Sequence, residues 1–228
     1  MLISILLSSG DITTKLIYLG LYIIAIILSF SIHEWAHAYA AHMMGDDTAR
    51  NLGRMTLNPM AHIDPIGFIL LLIVGFGWAK PVPVNPNNYT NFRKGEFIVS
   101  FAGIFMNLVL ALFSALVYVL VYKFVSYSDA YFLFLFLNVL GLINVSLAVF
   151  NFIPVFPLDG SHIFDLIFGK LVGPKVIMWM HGNGRIILYV ILGISFLLSR
   201  FTSFSLIGGI SNWIYTGMLE LFGLIFGA

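Results

Sequence analysis

The sequence predicts an all-α polytopic membrane protein of about five to six transmembrane helices, with a short re-entrant or extended β-like segment after the first of them. Three observations predict it. Of 228 residues, 60% are hydrophobic and only 9% charged, whereas soluble domains carry about 25% charged residues. Apolar runs long enough to cross a hydrocarbon core of about 30 Å recur along the chain. Between them, Trp78 to Pro86 has prolines at 81, 83 and 86, which deny a helix its N–H donors and favour extended backbone.

The elements follow in order. Met1 to Ser9 is apolar but too short to span and lacks a positive start, so it is not read as a cleaved signal. Leu16 to about Met44 is the first span, ended by Gly45-Asp46-Asp47. Ile66 to Phe76 is too short to cross as a helix and is expected to re-enter. Phe97 to Phe124 and Tyr131 to Ile153 are full spans, and weaker ones lie near Ile186 to Leu198 and Leu206 to Phe226. The whole chain, 1-228, reads as one integral membrane domain, with a core over about 16-165 and additional C-terminal helices over about 184-228. Re-entry puts Arg50, Arg54, Lys80, Arg93, Lys94, Lys170, Lys175 and Arg185 on one side, eight of the eleven basic residues. Lys15, Lys123 and Arg200 fall opposite, and the positive-inside tendency makes the richer side cytoplasmic.

No cysteine occurs, so disulfides and thiolate-ligated metals are excluded, and a net charge of +1 without a basic tract gives no reason to expect nucleic acid. The polar residues that matter sit inside an apolar span. His33-Glu34-Trp35-Ala36-His37 is H-E-x-x-H, which on a helix places two imidazoles one turn apart with a carboxylate beside them. Two zinc ligands and a general base are thereby supplied by one turn. Counted from Leu16, His33 lies roughly 25 Å along the helix, submerged but near the far face of the bilayer. Ionisable residues at such depth cost about 2.5–3.5 kcal/mol on insertion scales, so a functional reading outweighs a chance pentapeptide.

A catalytic zinc site needs a third protein ligand. The longer H-E-x-x-H-x-x-G-x-x-H pattern fails, because Ala40 and Met43 stand at its glycine and histidine positions. No Glu follows Glu34 until Glu96, which leaves His62, Asp64, Asp159, His162, Asp165 and His181. Asp159 is best placed, in the turn Pro154-Val155-Phe156-Pro157-Leu158-Asp159-Gly160 after a full span. His162 is its main rival. Asn107 and Asn144 read as interhelical hydrogen-bond partners, and His42 as an interfacial residue.

These motifs together resemble the site-2 protease family of intramembrane zinc metalloproteases, in its compact form without a PDZ or CBS domain. The resemblance rests on His33-Glu34-Trp35-Ala36-His37, on Trp78-Ala79-Lys80-Pro81-Val82-Pro83-Val84-Asn85-Pro86, and on Asn151-Phe152-Ile153-Pro154-Val155-Phe156-Pro157-Leu158-Asp159-Gly160. It implies one Zn2+ per chain held by His33, His37 and Asp159, with Glu34 as general base and Asn151 holding substrate or oxyanion. The chain departs from the family's A-G-P-x-x-N pattern, having Ala102-Gly103-Ile104-Phe105-Met106-Asn107 with Ile104 in place of proline. The resemblance further implies hydrolysis of peptide bonds within or near the transmembrane segments of membrane proteins. Such substrates would be anti-sigma factors, tethered transcription factors or remnant signal peptides, in a bacterial or archaeal cell membrane with the site toward the cytoplasm. A metal transporter or sensor built on the same His and Asp residues is the rival of another class, and it has no need of Glu34 between them.

Overall fold

The structure, a computed structural model, describes residues 11–74, 77–202 and 205–227; the reading of Met1 to Ser9 lies outside them. Among the described residues all regular structure is helical: α1 (Ile12–Met43), α2 (Thr48–Asn51), α3 (Pro65–Val74), α4 (Phe92–Phe124), α5 (Tyr131–Asn151), α6 (Asp159–Val172), α7 (Pro174–Thr202) and α8 (Leu206–Phe226), with short 3-10 turns at Pro59–Ala61 and Pro86–Asn88. Among the described residues four helices are long and apolar enough to cross a membrane: α1, α4, α5 and α7 over Pro174–Ser195. The chain is thus a multi-pass integral membrane protein.

The boundaries have local causes. Asp11 caps α1 by accepting from the Thr14 N–H at 3.0 Å, and Asn91 caps α4 by accepting from the Lys94 N–H at 3.0 Å. Past α1, Gly45 takes φ 104°, a conformation side chains other than glycine's rarely adopt, and turns the chain away. Gly173 at φ 86° ends α6, and Pro174 opens α7 at once. Consequently α7 begins twelve residues before the Ile186 expected from hydropathy.

α1, α4 and α5 form the centre, with α8 against α4 and α5, α6 against α4, and α7 against α6. Small residues let the helices approach, as expected where lipid supplies no hydrophobic drive for association. Ala111, Ala115 and Val145 pack with Tyr215, and Gly141 leaves room for that ring. Large apolar side chains such as Phe105, Phe113 and Leu224 point outward, as they do in lipid.

The segment after α3 is non-helical but forms no ladder. An isolated antiparallel bridge joins Ile63 to Ala79, beside a hydrogen bond from the Lys80 N–H to the His62 carbonyl at 2.8 Å. From there the chain runs past Glu34 to Asn85, whose N–H donates to Asp46 Oδ2 at 2.7 Å.

Candidate metal centre

The H-E-x-x-H turn lies in the last third of α1, where His33, Glu34 and His37 are all buried. Asp159, the first residue of α6, comes in from another element. His33 Nε2 and His37 Nε2 are 3.0 Å apart, and Asp159 Oδ2 is 3.4 Å from the first and 3.3 Å from the second. Among the described residues this is the one group of three or more His, Asp or Glu side chains whose donor atoms converge closely enough to share an ion.

The imidazole tautomers follow from their partners. Leu140 O can only accept, so the Asn144 Nδ2 at 2.8 Å donates to it, and Asn144 Oδ1 must then face the Asn107 Nδ2 at 2.6 Å. Asn107 Oδ1 is thereby left toward His33 Nδ1, 2.6 Å away, and receives its proton. His37 Nδ1 likewise donates to the Val99 carbonyl at 2.7 Å. With both Nδ1 atoms engaged as donors, Nε2 is the nitrogen each ring has left for a metal, and the two Nε2 atoms face each other at 3.0 Å. Asp159 Oδ2 beside them is buried without a hydrogen-bond partner.

Two imidazole nitrogens and a carboxylate oxygen converging this closely suit a shared cation. A tetrahedral zinc with bonds of about 2.0–2.1 Å needs ligand atoms about 3.3 Å apart. The donor set therefore fits zinc, and each histidine's second nitrogen is tied back in the manner that orients metal-binding imidazoles.

The remaining candidates are engaged elsewhere. His162 Nδ1 pairs with Glu96 Oε1 at 2.8 Å, and His181 Nε2 with Asp165 Oδ2 at 2.6 Å. His62 Nε2 donates to the Thr56 carbonyl at 2.7 Å, Asp64 Oδ1 accepts from the Gly67 N–H at 2.8 Å, and His42 pairs with Asp47 at 2.6 Å. Asn151 is not brought to His33, His37 or Asp159 by a contact of its amide, which donates to Leu147 O in its own helix at 3.0 Å.

One face of α4 supports the site, and of its residues Asn107 was foreseen only as an interhelical hydrogen-bond partner, which its bond to Asn144 bears out. Val99, Gly103 and Asn107 recur every four residues, so they lie along one stripe. Val99 and Asn107 hold the two imidazoles, and between them a Cβ on Gly103 would lie 2.4 Å from His37 Nε2 and 2.5 Å from His33 Cε1. The i, i+4, i+8 spacing of a small and a polar residue in an apolar span was the available signal.

Comparison with known proteins points the same way. Residues 125–192 match the model of peptidase family M50. The chain is 43% identical over 157 residues to YwhC of Bacillus subtilis (strain 168), named for zinc-metalloprotease activity, covering 68% of this chain and 70% of that protein. It is 31% identical over 160 residues to Rip2 of Mycolicibacterium smegmatis (strain ATCC 700084 / mc(2)155), also named for zinc-metalloprotease activity, covering 67% of this chain and 60% of that one. No solved structure matches. A submerged H-E-x-x-H turn, a third ligand that fits zinc and these relatives agree: the chain belongs to peptidase family M50, the site-2 proteases, and is an intramembrane zinc metalloprotease.

Proposed function

We propose that His33, His37 and Asp159 are the zinc ligands, that Glu34 is the proton carrier and that the substrate is a single-span membrane protein. The observation that carries the ligand assignment is the convergence of the His33 and His37 Nε2 atoms on Asp159 Oδ2, which is buried without a hydrogen-bond partner. Zinc held there supplies Lewis acidity, acidifying water toward a pKa of about 7 and polarising the scissile carbonyl. Glu34, on the same turn as the ligands, takes the proton of the attacking water and passes it to the leaving nitrogen. Burial of Glu34 and of both histidines keeps bulk water out and strengthens every charge interaction in the site.

Asn151 is assigned to substrate, at the carbonyl that becomes the oxyanion, on the strength of the family resemblance. Its position at the end of α5, eight residues before Asp159, supports that role once the amide leaves Leu147. The extended run Trp78 to Pro86 is the best place for an unwound substrate to lie as an added strand. A substrate helix has its amides already paired, so local unwinding precedes attack. Anti-sigma factors, tethered transcription factors and remnant signal peptides meet these demands.

For topology, the bridge between Ile63 and Ala79 supports re-entry of α3, since both ends of that excursion meet. With α8, 21 residues long, as a further crossing, the count comes to five spans. The side bearing Arg50, Arg54, Lys80, Arg93, Lys94, Lys170 and Lys175, seven of the eleven basic residues now that Arg185 falls inside α7, is then the cytoplasmic face of a bacterial or archaeal membrane, and the site opens toward it. Residues 1-228 act as one catalytic unit, with the core in about 16-165 and the helices of 184-228 completing it.

The test is cleavage of a model single-span substrate by purified protein in liposomes. Glu34→Gln is expected to abolish cleavage while zinc stays bound, and a chelator is expected to abolish it by removing zinc. Activity surviving Glu34→Gln would sink the proton-carrier assignment.

A further inference from the structure

Extended backbone directs successive N–H groups to opposite edges, and in this protein proline has erased one edge. Pro81 and Pro83 have no N–H, so Val82 holds the one main-chain donor between Lys80 and Val84. That donor is aimed into the site. The Val82 N–H lies 2.8 Å from Glu34 Oε2, with Glu34 8% and Val82 9% exposed.

The donor is held from several directions. Upstream, the Lys80 N–H donates to His62 O at 2.8 Å, and Arg54 Nη2 donates to Lys80 O at 2.9 Å and Pro81 O at 3.2 Å. Downstream, Asp46, fully buried, accepts from the Asn85 N–H and from Asn88 Nδ2 at 2.8 Å. The Val82 side chain packs with Ala38 and Ala49, fixing the residue to the turn after the metal-binding helix.

We infer that the main-chain amide of Val82 is a positioning group for catalysis. It pins one oxygen of the Glu34 carboxylate, so that the other is presented to the reacting water in a single orientation. Glutamate has three side-chain torsions, and a proton carrier without such a partner would spend most of its time misdirected; orientation of this kind is worth orders of magnitude in rate. This inference rests on the reading of Glu34 as proton carrier.

The test removes one hydrogen from the full-length protein. Val82 is replaced by its α-hydroxy counterpart through nonsense suppression, turning the Val82 amide into an ester with the side chain intact. Cleavage of a single-span substrate in liposomes and bound zinc are measured alongside Val82→Ala, which keeps the N–H. The ester is expected to lower kcat roughly tenfold to a hundredfold, the worth of a hydrogen bond to a charged group, with KM and zinc content unchanged. Val82→Ala is expected to show a smaller fall. The ester also weakens Pro81 O as an acceptor, and Arg54→Gln in the normal backbone gauges that share. Unchanged kcat in the ester, or a fall no greater than that of Val82→Ala or Arg54→Gln, overturns the inference. Cleavage surviving Glu34→Gln would instead remove the base assignment on which it rests, so the two failures are told apart.

Discussion

The two sides of the metal site are built to different standards. On the α1 side, His33 and His37 are buried; His37 is held by the Val99 carbonyl, and the polar chain that holds His33 passes through Asn107 and Asn144 to Ser29 and ends on Ala25 O at 2.7 Å. Asn107, Asn144 and Ser29 are all fully buried. On the α6 side, Asp159 has 21% of its side chain exposed, and its helix is fastened by rim contacts: Arg93 to Leu166 O at 3.1 Å and the His162–Glu96 and His181–Asp165 pairs. Two of the three proposed ligands are thus held rigidly by buried hydrogen bonds. The third belongs to an element with room to adjust.

Three changes would break or sharpen this contrast. The largest effect is expected from Gly103→Ala, whose Cβ would stand 2.4 Å from His37 Nε2 with no space to yield on the locked side. Zinc content, read by metal analysis, is expected to fall to background while the detergent-solubilised protein still melts cooperatively. Full occupancy would show that the α1 side gives way after all.

Next in size is Asn107→Leu, which strands the His33 Nδ1 proton and an amide oxygen of Asn144. Zinc affinity by chelator competition is expected to drop about 10–100-fold, the usual cost of losing such a support. An unchanged affinity would mean that helix packing alone holds the ring.

The smallest concerns the rim. The hydrogen bond to Glu96, more than any other influence, raises the pKa of His162 above its ordinary 6.5; burial opposes it, and Asp159 and Asp165 add to it. The folded state binds this proton more tightly than the unfolded chain, so the pair's stabilisation is complete below about pH 6.5. It is lost as pH rises through the raised value. The His162 side chain is 37% exposed, and solvent screening limits the effect to about 1 kcal/mol. The gap in melting temperature between the protein and Glu96→Gln is therefore expected to narrow from pH 6 to pH 9. A constant gap would show that His162 does not change charge.

Much of this was legible in the sequence because it is written in periodicity. His33, Glu34 and His37 announce themselves by helical spacing in a segment where charge is costly, and Asp159 by an irregular Pro-rich turn after a full span. Asn107 was legible only as a polar residue in an apolar span, since its spacing says that it needs a partner but not which of several helices supplies one. Gly103 gave no more sign than any small residue in a packed helix, although its neighbours at 99 and 107 share its stripe. Val82 left none. A main-chain N–H belongs to every residue except proline, so its direction emerges only when Pro81 and Pro83 silence the positions around it and Glu34 lies opposite. The start of α7 escaped because hydropathy reports the apolar stretch of a helix, whereas its N-terminus is set by Gly173 and Pro174.

The distance in sequence between the ligands carries one more consequence. Residues 33 and 159 meet only when α1, α4 and α6 are assembled, and the support of the His33 imidazole is complete only once Asn144 on α5 has joined. A chain still emerging from the ribosome, with α1 already inserted, therefore holds half a blade. The three donor atoms cannot converge until the chain has been made past residue 159 of 228.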